Sequence, residues 1–393
     1  MRKGGIDMRY RLEQFMMGLF IVFLATGSLT AQTSTASSGV GPTLQYLSPM
    51  SFGPDAVLFA ADAQEVFIYA LDLSEHVVGG VAGTQSVPDI DKKIADLLGT
   101  TTGNIVLTDL AVYPNTGNTF ISLMRGSDPV LLRVDGSADI TVVPLDQVSY
   151  TRIGLPNPPG ETTDMLLKGG RGMPIPNYPS NQVAEYPMNL FGVQTITDLA
   201  YVDGRLYAAG LSNEEFASKL RSIAYPFTSV DEGTSVEIWH APHDQFETRS
   251  PIYTFVPYEI NDEPHLIASY LCTPLVKFPI SSLQPGADVR GETIAEFGSG
   301  NRPLDMIVYQ KNGQDYLLMS NNRHGVMKIP TQDFGSTENL TGIVPDGATA
   351  GVPFEKIDAL QGVEQLDRLD MDHAIVLIRS DTDVLRLEVV DLP

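Results

Sequence analysis

One cysteine in 393 residues, Cys272, leaves no partner for an intrachain disulfide and no basis for a zinc or iron–sulfur centre built on several thiolates. Basic residues are also scarce. Lys and Arg number 25 against 48 Asp and Glu, a formal net charge of -23. A phosphate-binding face needs clustered Lys and Arg, so nucleic acid is excluded as a partner. Charged residues reach only 19%, whereas hydrophobic residues make up 43%, enough for a full core and too many for general disorder. Long apolar runs are lacking beyond the N-terminus. The run at residues 15–25 is itself short of the roughly 20 residues that a spanning helix requires. No G-x-S-x-G elbow, P-loop, dinucleotide fingerprint or C-x-x-C-H haem motif occurs.

What precedes and follows the apolar run gives it a meaning. Arg2, Lys3, Arg9 and Arg11 come before it, and TGSLTAQ comes after it, with Ala31 at the end of a small-residue segment. That is the order of a secretory signal. The expected organisation is a signal peptide over 1–31, a flexible polar leader over 32–43 and a single domain over 44–393. Cleavage would leave no membrane anchor and would place the protein in a bacterial periplasm or outside the cell. A core of this size needs no disulfide in such a compartment.

The body is rich in turn formers, with 35 Gly and 27 Pro, and repeats one pattern. An apolar strand, a turn, a second strand, a polar loop and a third strand begin at Ser48, Thr108, Thr197, Thr254, Leu304 and Val363. Asp203-Gly204, Asn312-Gly313 and the NTGN segment at 115–118 supply the positive φ of tight hairpins. Fourth strands are legible at 140–145 and 292–297, and helical periodicity at 91–98. Four antiparallel strands recurring every 50–60 residues or so predict an all-β fold, a β-propeller of six blades. A seventh would have to come from the Pro- and Gly-rich insertion at 154–190 or from residues 80–104. The last strand, near 384–390, is expected to close the ring against a strand from the start of the chain.

The first unit, LSPMSFGPDAVLFAAD, resembles the blade openings of NHL-repeat and gluconolactonase-like six-bladed propellers. Phe52, Gly53, Pro54 and Asp55 match that pattern, and Ala56 stands where a second glycine is usual. The resemblance implies a metal-dependent lactonase whose ion is held by a Glu near the chain start together with Asn and Asp residues. No Glu occupies the matching place here, where residues 48–52 read SPMSF.

Two sets of residues fall on the face where the inner strands begin. Asp109, Asp198 and Asp305 occupy one register in three blades, in T-D-L-A-V, T-D-L-A-Y and L-D-M-I-V. Three carboxylates aimed at one axis suit a hard cation such as Ca2+, and each alone suits a backbone cap. The second set lies between strands two and three: Asp62, Arg125, Asn213, Glu214, Cys272, and the dense run Asn321, Asn322, Arg323, His324. Arg323 can clamp an anion, His324 can act as base or ligand, and the amides can orient a polar molecule. His240 and His243 in W-H-A-P-H are read as packing or surface residues, because Pro242 forbids a helix between them. Two functions stand open. One is a non-catalytic module binding a small molecule, glycan or protein on that face, and the other is a metal-dependent hydrolase at the channel mouth.

Overall fold

The computed structural model describes residues 34–77, 86–159, 194–270, 274–298, 300–345 and 347–393. The segment expected to be a signal peptide, Cys272 and most of the insertion at 154–190 lie outside the described residues.

Each repeat unit forms one antiparallel sheet, and six such blades make a β-propeller. The inner strands, in chain order, are Met50–Phe52, Ile105–Val112, Asp198–Val202, Ile252–Ile260, Pro303–Lys311 and Val363–Arg368. Second and third strands follow by short hairpins, such as Arg205–Leu211 and Ser218–Ala224 in blade 3. The turns have the expected chemistry. Asp203 and Gly204 sit at φ 49° and 78°, and Asn312 and Gly313 at 54° and 77°. The fourth strands of blades 2 and 4 are Ile140–Val142 and Glu292–Glu296. The helical segment is Ile90–Leu97.

Middle strands are apolar on both faces because each blade is packed on two sides. In Thr119–Arg125, Phe120 packs toward blade 1, while Ile121 and Leu123 pack toward blade 6. In Val57–Asp62, Leu58 and Ala60 face blade 2, while Phe59 and Ala61 face blade 3. These clusters show that the blades do not follow chain order around the ring. Inner strands pack in the cycle 2-1-3-4-5-6 and back to 2. The chain builds most of blade 1, passes to blade 2 on one side, and returns at Ser149–Gly154 to add a strand to blade 1. It then continues with blade 3 on the other side.

This path changes the expected closure. The last strand, Leu385–Asp391, is joined by Val87 from the segment linking blades 1 and 2, not by the start of the chain. Val87 and Leu387 exchange two backbone hydrogen bonds of 2.8 and 3.0 Å. Part of the segment read as a flexible leader is also paired. Ser37–Val40 adds an outer strand to blade 1 against Ser149–Gly154, and Ser34–Thr35 pairs with Ser229–Val230.

Candidate functional site

The inner strands surround an axial cavity of about 530 Å³. Its upper limit is set by Asp109, Asp198 and Asp305, which also line a narrower space with Ser48, Pro49, Thr197, Tyr253, Leu304 and Gln365. From the aspartates the cavity runs along the strands toward their C-terminal ends. There it is walled by Phe52, Ala111, Tyr201, Pro257, Val308 and Arg368. The wide part therefore lies on the far side of the acids from the face expected to carry function.

The aspartates tie neighbouring blades together. Asp109 Oδ2 accepts Met50 N–H of blade 1 at 2.5 Å, and Asp198 Oδ2 accepts Phe255 N–H of blade 4 at 2.7 Å. Asp305 Oδ2 accepts Leu366 N–H of blade 6 at 2.9 Å. A fourth acid not singled out in the sequence, Asp367, accepts Val112 N–H of blade 2 at 2.7 Å. In each, Oδ1 accepts the N–H of the following residue, at 2.6 to 2.8 Å. All four bonds point the same way around the ring, which gives the permuted blade order a hydrogen-bonded seam.

Their location sets their protonation. Burial pushes the Asp109 carboxyl up to about 8 against the pull of Leu110 and Met50 N–H, and the charges of Asp198 and Asp367 add to the rise. Burial likewise raises Asp198 to about 7 and Asp367 to about 6. Asp305 is pushed well above the usual carboxylate range by burial and by Asp109.

The residues expected on the upper face line neither cavity. Arg125 is partly exposed beside Asp128. Asn213 N–H donates to Asn157 O, and Glu214 accepts from Asn157 and from the buried Lys219. Asp62 closes its own loop by accepting Gln45, Gln64 and Glu65 N–H. In the dense run, Asn321 Oδ1 accepts the N–H groups of Arg323 and His324, and Asn322 Oδ1 accepts Arg302 N–H. His324 Nε2 lies 2.9 Å from Phe297 O, and its ring packs on Phe354. Burial lowers the pKa of His324. These side chains shape the loop, and Arg323 beside them is exposed.

The W-H-A-P-H segment departs from its sequence reading. Ala241–His243 is a single 3₁₀ turn that holds Pro242 in its first positions. Proline is tolerated there, and three residues per turn place side chains i and i+3 one above the other. The His240 and His243 rings lie 4.1 Å apart. Asp244 at φ 50° turns the chain back, so that Gln245–Glu247 pairs with Thr234–His240 and brings Glu247 to both imidazoles. Among the described residues, one trio of His, Cys, Asp or Glu has its ligand atoms all within 4.8 Å of one another. It is His240, His243 and Glu247, not the three aspartates.

No protein-family model and no curated protein matches the sequence. Among solved structures, similarity extends to a GH43 glycoside hydrolase engineered in its active site to display endo-xylanase and exo-arabinofuranosidase activity. It is 12% identical over 74% of this chain and 51% of that chain, with a TM-score of 0.37. The full extracellular region of plexin A4 is 10% identical over 92% of this chain and 40% of that chain, at 0.35. A yeast heterotrimeric nucleoporin complex gives 9% identity, 88% and 97% coverage, and 0.29. The chain thus spans about half the length of the first and less of the second. Likeness this loose says nothing about activity.

Proposed function

We propose that this protein is an exported, non-catalytic binding propeller that holds a small organic cation, an amine on an apolar or aromatic body, in its axial cavity. The observation that carries the reading is the cavity itself. Its volume of about 530 Å³ falls in the range of small-molecule sites, about 300–1,000 Å³. One end carries Asp109, Asp198, Asp305 and Asp367, and the walls present Phe52, Tyr201 and Val308. The acids are spread around the ring, an arrangement that several N–H donors on one ligand can span. A metal ion needs its ligands closer together, which gives a calcium-dependent lactonase at this mouth weaker support. The N-terminal order of basic, apolar and small residues supports export.

The test is a calorimetric titration with an aromatic amine such as phenethylamine. Ser51 lines the cavity and is half-buried, so Ser51→Trp places an indole in the space while removing no core side chain. Binding to the wild type, and its loss in Ser51→Trp at an unchanged melting temperature, is the expected result. Equal binding by both, or loss of binding only in Arg323→Ala on the opposite face, would overturn the reading.

A further inference from the structure

His240, His243 and Glu247 stand apart from the axial cavity, on the outer hairpin of blade 3 where it meets blade 4. Glu247 Oε1 lies 3.0 Å from His240 Nδ1 and 2.6 Å from His243 Nδ1, so two imidazole nitrogens converge on one carboxylate oxygen. The backbone around them is fixed from several sides. Thr293 Oγ1 donates to Trp239 O at 2.9 Å, Trp239 Nε1–H donates to Gly342 O at 3.1 Å, and Val344 N–H donates to Ala241 O at 3.3 Å. Trp239 meets Phe246 across the hairpin with ring centroids 5.0 Å apart, and the Arg290 guanidinium covers Phe246. Ser250 Oγ donates to the second oxygen of Glu247.

A second observation points the same way. Glu296, on the fourth strand of blade 4, is fully buried, and neither of its carboxylate oxygens has a hydrogen-bond partner. It lies within electrostatic reach of His240 and Glu247. A bare buried carboxylate is costly unless something cationic, or a donor held by a cation, answers it.

We propose that His240, His243 and Glu247 bind a divalent transition-metal ion of the zinc class, with Glu296 as a nearby buried carboxylate that helps to balance its charge. Bonds of about 2.0–2.2 Å at the tetrahedral angle put ligand atoms about 3.3–3.5 Å apart, so the trio needs only a small opening to admit an ion in place of shared protons. Two imidazoles and one carboxylate favour zinc, cobalt, nickel or copper over calcium or magnesium, which prefer oxygen ligands. His240 is buried, while the His243 side chain is 49% exposed. The half-exposed His243 opens the site to solvent on that side, from which water completes the coordination. A second carboxylate within electrostatic reach of the ion adds to the negative charge that favours it.

The purified protein, stripped with a chelator and dialysed, is titrated with ZnCl2 by calorimetry and with CoCl2 by visible spectroscopy. The expected result is one equivalent of zinc and the d–d bands of nitrogen-ligated, low-symmetry cobalt, with no comparable heat from CaCl2. His243→Ala should weaken zinc by at least about 100-fold, more than the loss of a nearby carboxylate, and Glu296→Gln by about tenfold. Because His243 is half-exposed, His243→Ala should keep its melting temperature. His373→Ala, in the separate His373–Asp370 pair, should leave zinc binding unchanged. No saturable zinc binding by the wild type, or wild-type affinity in folded His243→Ala, overturns the site. Wild-type affinity in Glu296→Gln overturns the role given to Glu296.

Discussion

Asp198 holds two amides, that of Leu199 and that of Phe255 in the next blade. Removing the carboxylate leaves both N–H groups at the cavity wall without their acceptor. Each unsatisfied buried donor costs about 1–3 kcal/mol, so Asp198→Ala should lose roughly 2–5 kcal/mol in urea unfolding. Asp198→Asn keeps one acceptor and should lose less. A loss below about 0.5 kcal/mol for the alanine variant, the range of an ordinary surface change, would show that the seam does not depend on this residue. The register of Asp109, Asp198 and Asp305 was legible, because each follows Thr or Leu at the start of an apolar strand. Asp367 was not, because Arg368 and Asp370 follow it where an apolar run follows the other three. The His240, His243 and Glu247 trio was hidden for another reason. Only the 3₁₀ turn and the left-handed Asp244 make a spacing that fails on an α-helix converge.

Hairpins were the readable unit, because Asn-Gly and Asp-Gly turns and strand-length apolar runs are local properties. Blade order was not. A strand apolar on both faces, such as Thr119–Arg125, accepts a neighbour on either side, and nothing local says which blade that is. The pairing of Ser37–Val40 was also illegible, since a short polar strand on an outer edge carries no alternation to detect. The Val87 latch can be tested directly. Val87→Pro removes the N–H that donates to Leu387 O and should destabilise the protein by about 2–4 kcal/mol, from a lost ladder bond and proline's poor fit within a sheet. Hydrogen exchange should rise first in Leu385–Asp391. Protection there equal to wild type would mean that blade 6 holds without the latch. The lead-in to that blade makes a comparable demand at Gly362. Its φ is 79°, and an added Cβ would sit 2.2 Å from Arg379 O. Gly362→Ala should cost more than the roughly 1 kcal/mol of left-handed strain alone, read from the denaturation midpoint.

Across the whole molecule the acids give stability a pH dependence of definite sign. Asp109, Asp198, Asp367 and Glu296 have folded values of about 8, 7, 6 and 8, above their ordinary values of 3.8 and 4.5. The folded state then holds more protons than the unfolded state over that window. Their contribution is fully present below about pH 4 and is lost as pH rises through the folded values. Glu247 acts oppositely. Although burial opposes it, contact with His240, Ser250 and His243 holds it at about 2, so its contribution is lost as pH falls from about 4.5 toward 2. The urea midpoint should therefore be higher at about pH 5.5 than at pH 8, and an equal or higher midpoint at pH 8 would contradict this assignment of protons.

The same protons give the cavity a signature that a surface site would lack. A cationic amine beside Asp109, Asp198 and Asp305 favours their ionised forms and must release protons as it binds. The direct measurement is calorimetry of phenethylamine binding at about pH 7 in two buffers of different ionisation enthalpy, for the wild type and for Ser51→Trp. A binding heat that changes with the buffer by the amount expected for proton release, together with no binding by Ser51→Trp, is the predicted result. Binding with no proton release and with the same affinity in Ser51→Trp would contradict the account.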